Sequence, residues 1–171
     1  MRTLLLMRHA KSSWDNPAQT DHERPLNDRG ERSAPIMGQW LRAEGLTPDL
    51  IVCSDARRTR ETADLVAPAC GYEGEIVVSG ALYLAKVSNW RDVLRSLPDR
   101  SRTVLCIGHN PGLEDLLSHA TGRYLEMKTA AIARLSLDLP NWAAWDETLP
   151  PQREEATVTY VRNVAREFDL D

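Results

Sequence analysis

Near its N-terminus the chain reads Leu4-Leu5-Leu6-Met7-Arg8-His9-Ala10-Lys11. Four apolar residues followed at once by two polar ones predict a fully buried strand that carries Arg8 and His9 at its end. In an open α/β sheet, ligands bind just outside the carboxyl ends of the strands. We therefore expect Arg8 and His9 to face a ligand site around which the rest of the chain is arranged.

The composition excludes several classes of protein. With 171 residues, the chain suits a single domain over residues 1–171. Its net charge of −4 and sequence pI of about 5.6 disfavour nucleic acid and anionic membranes as partners. The apolar runs are too short for a signal peptide or a membrane span, so the expected location is the cytoplasm.

The chain has three cysteines, Cys53, Cys70 and Cys106. The number is odd, none of the spacings is C-x-x-C, and Cys53 and Cys106 fall inside apolar, strand-like runs. We interpret them as reduced core residues rather than as a redox pair.

Strand-like and helix-like segments alternate along most of the chain. Further strands are predicted at Leu50–Cys53, Glu75–Val78 and Thr103–Ile107. A first helix is predicted from a cap at Asn27 or Asp28 to Glu44-Gly45. A second follows Ser54–Arg60 and continues to about Ala67, where Pro68 and Gly71 end the helix. A third is predicted around Trp90–Leu97, before Pro98. This alternation predicts right-handed βαβ units and hence a three-layer α/β/α sandwich with a mostly parallel central sheet.

Two regions interrupt the alternation. Residues Lys11 to Gly30 are charged and turn-forming, and are predicted to be a long surface loop that frames the mouth of a pocket. In the last fifty residues, Ala130–Leu137 and Thr157–Val161 are predicted strands, and Pro140–Pro151 between them is predicted to be a surface excursion.

Three of the predicted strands end in residues suited to an anion. The first ends in Arg8-His9, the second in Ser54 with Arg57 and Arg58 close behind, and the fourth in Gly108-His109. Parallel strands bring these ends to one edge of the sheet. Arginine offers phosphate a planar fork of donors, and a helix that follows Asn110 as N-cap and Pro111 adds free backbone N–H groups. The pattern predicts a phosphate site.

Two histidines beside a phosphate permit covalent chemistry. One neutral imidazole attacks phosphorus, while the second, protonated, binds an equatorial oxygen whose charge grows during transfer. The nucleophile must be held in one tautomer, usually by donating from its other ring nitrogen to a backbone carbonyl. Water then hydrolyses the phosphohistidine.

Each feature also has a simpler interpretation. A histidine at a strand end is commonly structural, and Arg57, Arg58 and Arg60 alone would most often be a solvated helix face. His22 and His119 are interpreted as structural. A zinc site built from His9 and His109 has weak support, because no third ligand occurs at a suitable spacing.

Together these segments resemble the histidine phosphatase superfamily, which has the phosphoglycerate mutase-like fold. Arg8-His9 is similar to its Arg-His-Gly signature, Ser54–Thr62 to its Ser-Pro-x-x-Arg-Ala-x-x-Thr stretch, and Gly108–Pro111 to its second-histidine turn. The short length, Arg24-Pro25-Leu26 and Ala81–Ala85 most resemble the SixA-type phosphohistidine phosphatases. The resemblance covers roughly Thr3 to Leu137.

The resemblance implies a role for four residues. His9 is the implied nucleophile, Arg8 and Arg58 are the implied phosphate clamps, and His109 is the implied second phosphate-binding histidine. Counting from Ser54 places the family's arginine on Arg58 and leaves Arg57 as an extra cation.

Two positions next to His9 depart from the family pattern. Ala10 stands where the family usually has glycine, which only requires an ordinary backbone angle there. Lys11 stands where many relatives have Glu or Asp, and it adds positive charge at the mouth of the pocket.

No carboxylate stands where mutases and many phosphomonoesterases of the superfamily carry a general acid. Asp15, Asp21 and Glu114 are candidates by loop position only, and each is expected to be a solvated or helix-end charge. A phosphohistidine leaves as imidazole, which depends less on a matched acid than an alkoxide does. The lack of a matched general acid therefore favours a phosphohistidine substrate.

The sequence thus predicts a phosphatase that uses no metal or cofactor and acts through a phospho-His9 intermediate. The expected partner is a protein that carries phosphohistidine, and a small phosphomonoester is the alternative substrate. Phosphoglycerate mutase activity is disfavoured because it needs the missing acid. The alternative from another class is a non-catalytic phosphate-binding module, which the variant His9→Ala would distinguish.

Overall fold

One mixed β-sheet organises the computed structural model, which describes residues 1–146 and 156–167. Its strands are β1 (Arg2–Arg8), β2 (Leu50–Ser54), β3 (Ile76–Ser79), β4 (Thr103–Gly108), β5 (Ile132–Leu137) and β6 (Thr157–Thr159). The α-helices are α1 (Asp28–Ala43), α2 (Arg57–Cys70), α3 (Val87–Arg95), α4 (Gly112–Thr121) and α5 (Val161–Glu167).

The strands lie side by side in the order β3-β2-β4-β1-β5-β6. The first four in this order run parallel to one another, whereas β5 is antiparallel to β1 and β6 is antiparallel to β5. The prediction of a mostly parallel α/β sheet is confirmed.

Alternate residues of β1 enter two separate cores, one on each face of the sheet. Leu4 and Leu6 pack in the cluster that includes residues of α3 and α4, and Leu5 and Met7 pack in the cluster that includes residues of α1, α2 and α5. Because successive side chains of a strand point to opposite faces, a run of apolar residues is what a strand between two helical layers requires. The three-layer arrangement follows from this pattern.

The segment between β1 and α1 is more ordered than a plain surface loop. Ser12 and Leu26 form an isolated antiparallel bridge, and Asp21–Glu23 form a single 3₁₀ turn. Asn27 is the N-cap of α1, and its side chain accepts a hydrogen bond from the Gly30 backbone N–H at 2.9 Å. The helix therefore follows Asn27, one of the two caps predicted, and the loop ends there rather than at Gly30.

Two predicted helix ends are wrong. Helix α2 continues through Pro68 to Cys70 and ends at Gly71, whose φ of +80° is left-handed. Its last turns bury Val66, Ala67 and Cys70 in the core, and this packing offsets the backbone hydrogen bond that Pro68 cannot donate. At α4, Asn110 is not the N-cap: Pro111 holds that place, and the Asn110 side chain donates to the Met127 carbonyl at 2.9 Å.

The C-terminal segment also differs from expectation. Strand β5 begins at Ile132 rather than Ala130, and β6 ends at Thr159 because α5 begins at Val161. Trp142 and Trp145 are buried, so residues 140–146 pack on the core instead of forming a surface excursion. Residues 147–151 of that predicted excursion lie outside the described residues.

All three cysteines are buried and free, as predicted. Among the described helices, none combines the length and the apolar character needed to cross a membrane.

Candidate active site

The register of the parallel strands brings the predicted site residues together. Arg8 is aligned with Gly108 across β1 and β4, so His9 and His109 follow at the same level. Cys53 is aligned with Ile107 across β2 and β4, which brings Ser54 to this edge as well. The ring centroids of His9 and His109 are 5.3 Å apart. Arg8, His9, Arg58 and His109 all line one cavity of about 270 Å³.

His9 is held in one orientation and one tautomer. Its Nδ1 lies 2.7 Å from the Ala10 carbonyl oxygen, which can only accept, so Nδ1 carries the proton. The lone pair is then on Nε2, which lies 3.4 Å from the Arg58 Nε. Burial lowers the pKa of His9 to about 3, and His109, Arg58 and Arg8 contribute in the same direction. His9 is therefore neutral at pH 7.

His109 lies between Ser54 and Arg58. The Arg58 Nη2 is 3.3 Å from its Nδ1, and because guanidinium only donates, the proton of His109 is on Nε2, 2.8 Å from the Ser54 Oγ. Burial first, and Arg58 second, lower the pKa of His109 to about 4. The imidazole is thus neutral in this structure, which differs from the protonated state expected from the sequence. A phosphoryl dianion beside it would raise this pKa, since negative charge favours imidazolium.

Arg58 and Arg8 are both fixed by backbone carbonyls. Arg58, in the first turn of α2, donates from Nη1 to the Asp21 carbonyl at 2.7 Å and from Nη2 to the Asp21 Oδ2 at 3.1 Å. Arg8 donates from Nη1 to the Met127 carbonyl at 3.1 Å. These contacts fix the Arg58 guanidinium beside both His9 and His109, and they hold the Arg8 guanidinium at the same cavity.

Asp21 has partners that the sequence interpretation did not predict. It is exposed, as expected, but it also lines the cavity and accepts hydrogen bonds from the Tyr83 hydroxyl at 2.6 Å and from the Arg24 Nη1 at 2.9 Å, besides the bond from Arg58. Burial would raise the pKa of Asp21, but the hydrogen bonds from Tyr83, Arg24 and Arg58 lower it to about 2. Asp21 is ionised at neutral pH.

Two further residues of the loop, His22 and Arg24, make contacts beside the site. His22, interpreted as structural in a polar loop, lies with its Nε2 at 3.0 Å from the Asp55 Oδ1 and packs edge-on against the Tyr83 ring. The Arg24 guanidinium lies 3.2 Å from the centroid of the exposed Trp14 ring. The length of the loop and the resemblance at Arg24-Pro25-Leu26 were the signals that pointed to this part of the chain.

Several candidates lie away from the cavity or at its rim. Arg57 pairs with Glu61 at 2.9 Å on an exposed helix face, so the extra cation is not part of the cavity. Glu114 accepts a hydrogen bond from the Met127 backbone N–H, and Asp15 is exposed. Lys11 is exposed and lines the cavity. In the described part of the chain, Asp21 is the only carboxylate that lines the cavity.

No three His, Cys, Asp or Glu side chains are grouped to hold a metal ion in residues 1–146 and 156–167. Positive charge in the cavity comes from the guanidinium groups of Arg8, Arg24 and Arg58 and from the Lys11 ammonium group.

Comparison with known proteins agrees with this geometry. Residues 4–83 match the family model of the histidine phosphatase superfamily, branch 1. An uncharacterised chloroplastic protein of Arabidopsis thaliana is 36% identical over 151 residues, which are 82% of this chain and 69% of that protein.

Two solved structures extend the likeness to the fold. A candidate phosphohistidine phosphatase SixA from Agrobacterium tumefaciens is 28% identical, with a TM-score of 0.73, over 79% of this chain and 91% of that one. A second candidate SixA, from Nakamurella multipartitia, is 29% identical, with a TM-score of 0.72, over 93% of this chain and 94% of that one.

Proposed function

The chain belongs to the histidine phosphatase superfamily, branch 1, and on that premise we propose that it hydrolyses phosphohistidine on a partner protein through a phosphoryl group carried by His9. Membership and the likeness to SixA-type structures support phosphatase activity. The observation that carries the mechanism is the state of His9: Nδ1 is engaged by the Ala10 carbonyl, and the neutral Nε2 faces the arginines of the cavity.

In the first step, the Nε2 lone pair of His9 attacks phosphorus. The new bond joins His9 to phosphorus, and the bond from phosphorus to the substrate imidazole breaks. The departing imidazole takes a proton from water, and the hydroxide that this leaves is neutralised by the proton released when water attacks in the second step. Arg8, Arg58 and His109 stabilise the negative charge on the phosphoryl oxygens, because fixed donors in a buried site need no reorganisation.

In the second step, water attacks the phosphorus of phospho-His9. The N–P bond breaks, inorganic phosphate forms, and His9 returns to its neutral state. A nucleophile with a pKa of about 3 stays unprotonated throughout the physiological range, so no base is needed to activate it.

The state of Asp21 supports phosphohistidine as the substrate. It is the one carboxylate that lines the described cavity, it accepts hydrogen bonds from three side chains, and its pKa of about 2 leaves it without a proton to donate. An alkoxide leaving group depends strongly on such a proton, whereas imidazole does not. We assign Asp21 to the positioning of Arg58.

Steady-state kinetics in the presence of a chelator test the proposal. The substrates are a phosphohistidine-bearing protein, p-nitrophenyl phosphate and an alkyl phosphomonoester. We expect kcat/KM to be highest for the phosphoprotein and unchanged by the chelator, and His9→Ala to retain phosphate binding without turnover. Higher kcat/KM on the alkyl phosphomonoester would identify a small-molecule phosphatase. No turnover of any substrate would indicate a phosphate-binding module.

A further inference from the structure

A second cavity of about 530 Å³ lies next to the candidate active site. We define the basic groove as the part of this cavity formed by Arg29, Lys128, Arg162 and Arg166. Thr129 lines both cavities, so the groove and the active site share a wall. The mechanism above does not use the groove.

The wall between the two cavities is the segment 127–129. On the active-site side, the Met127 carbonyl accepts hydrogen bonds from Arg8 and Asn110, both of which line the active-site cavity. On the other side, Lys128 lines the groove. The groove therefore lies within reach of a protein whose phosphorylated residue occupies the active-site cavity of about 270 Å³.

The four cations of the groove have no ion-pair partner among the described carboxylates. No described Asp or Glu lines the groove. Lys128 lies 5.5 Å from the centroid of the Tyr160 ring. Burial, and then the charges of Glu126 and Glu114, raise the pKa of the Tyr160 phenol, so this ring carries no charge at neutral pH.

The charge of the basic groove is opposite in sign to the net charge of the protein. The chain carries a net charge of −4, which would repel an acidic partner at long range. The cations come from three separate parts of the chain, the start of α1, residue 128 and α5, and all four are exposed. Exposed cations on separate elements suit the attraction of an extended acidic surface better than the tight coordination of a small ion.

We propose that the basic groove is a docking site for an acidic surface of the phosphoprotein substrate. This inference rests on the proposed function, and it adds a partner chemistry: negative charge on the substrate protein close to its phosphohistidine. Docking there raises the rate of productive encounter and places the phosphoryl group at the neighbouring cavity.

The test compares two substrates with the same reacting group. One is a histidine-phosphorylated phosphotransfer domain of net negative charge, and the other is free phosphohistidine, which has no protein surface. The double variant Arg162→Glu/Arg166→Glu reverses charge in the groove. The matched control is Arg100→Glu/Arg102→Glu, which makes the same change of net charge at exposed positions before β4, at the opposite end of the strands from the site.

We expect the groove variant to lower the ratio of kcat/KM on the phosphoprotein to kcat/KM on free phosphohistidine by about tenfold or more at low salt. The loss should appear in KM rather than in kcat, and it should shrink as salt screens the charges. The control variant should leave the ratio close to that of the wild-type protein.

Four results would overturn the docking site. An unchanged ratio shows that the groove does not contact the substrate, and equal losses in the groove and control variants show an effect of net charge alone. A salt-independent loss shows that the substitutions disturb structure instead of charge. A wild-type protein without activity on either substrate overturns the proposed function, and the docking site with it.

Discussion

A single backbone hydrogen bond decides which nitrogen of His9 reacts. The Ala10 carbonyl, 2.7 Å from Nδ1, leaves the lone pair on Nε2, and burial keeps the ring neutral. Ala10 stands where the resembling family usually has glycine, and the backbone carbonyl performs this role whatever the side chain. The same logic applies to His109, whose Nδ1 accepts from Arg58.

Asp21→Asn tests whether Asp21 positions Arg58 or donates a proton. We expect kcat/KM to fall about 10- to 100-fold, because the ion pairs that orient Arg58 and Arg24 are lost. A positioning role predicts equal losses for phosphomonoesters with good and poor leaving groups. A loss that grows as the leaving group becomes poorer would contradict it and identify an acid. Asp15→Asn, at an exposed position, is the control.

The two buried histidines predict how stability depends on pH. Their pKa values of about 3 and about 4 lie below the usual value of 6.5. At a pH between the folded and the usual pKa, the unfolded chain therefore binds more protons than the folded protein. The free energy of unfolding is therefore greatest above the usual pKa and falls as the pH drops. We expect a loss of about 2 kcal/mol for each histidine between about pH 7 and about pH 5.

Urea unfolding at several pH values measures this dependence. His9→Gln and His109→Gln should each flatten it, whereas His119→Gln, at an exposed position on α4, should not. Parallel curves for all three variants would show that the stability change has another source.

At the scale of elements, close packing joins α1 to the residues that follow β1. A Cβ on Gly30, in the first turn of α1, would lie 2.1 Å from the Lys11 carbonyl oxygen. The loop that carries Asp21 runs between these two contact points, so their separation affects the site. A side chain at position 30 would move the loop, and with it Asp21, which orients Arg58.

Gly30→Ala should destabilise the protein by about 1–3 kcal/mol. Alanine is favoured over glycine within a helix by about 1 kcal/mol, so helix propensity alone predicts the opposite sign. Arg32→Ala, at an exposed position two residues later, should change stability little. Thermal or urea unfolding measures both, and a Gly30→Ala variant as stable as the wild type would show that the backbone shifts without cost.

The elements that sequence could predict are those whose signal is local. The apolar run before Arg8-His9 and the run before Gly108-His109 each predicted a buried strand with chemistry at its tip, and parallel pairing placed the tips together. The errors at Pro68 and Asn110 arose because tertiary packing and a hydrogen bond to Met127 outweighed local preference.

The position of Asp21 could not be predicted in the same way. Its partners Arg58 and Tyr83 are 37 and 62 residues away in the chain, and a charged loop carries no periodicity that indicates such contacts. Trp142 was missed for a related reason: it is buried where its indole N–H donates to the Ser101 carbonyl, 41 residues away.

At the scale of the whole molecule, the site concentrates positive charge in a protein of net charge −4. Arg8, Arg58 and Lys11 line one cavity, and the basic groove adjoins it. An oxyanion bound in the cavity relieves repulsion between these cations. Binding and stability are therefore linked.

Inorganic phosphate should raise the melting temperature at constant ionic strength. At a phosphate concentration about 100 times Kd, the expected stabilisation is about 2.7 kcal/mol. Arg58→Ala should reduce this effect, whereas Arg57→Ala, which removes the neighbouring exposed cation, should preserve it. Equal stabilisation of the two variants would place the anion elsewhere.

The most direct test of the central claim is intact-protein mass spectrometry after rapid quench, with a phosphohistidine-bearing protein as substrate and a chelator present. The account predicts that the enzyme gains the mass of one phosphoryl group, that the adduct is acid-labile and alkali-stable, and that His9→Ala shows neither adduct nor turnover. Turnover by His9→Ala at the wild-type rate, or an adduct located on another residue, would contradict the proposed mechanism.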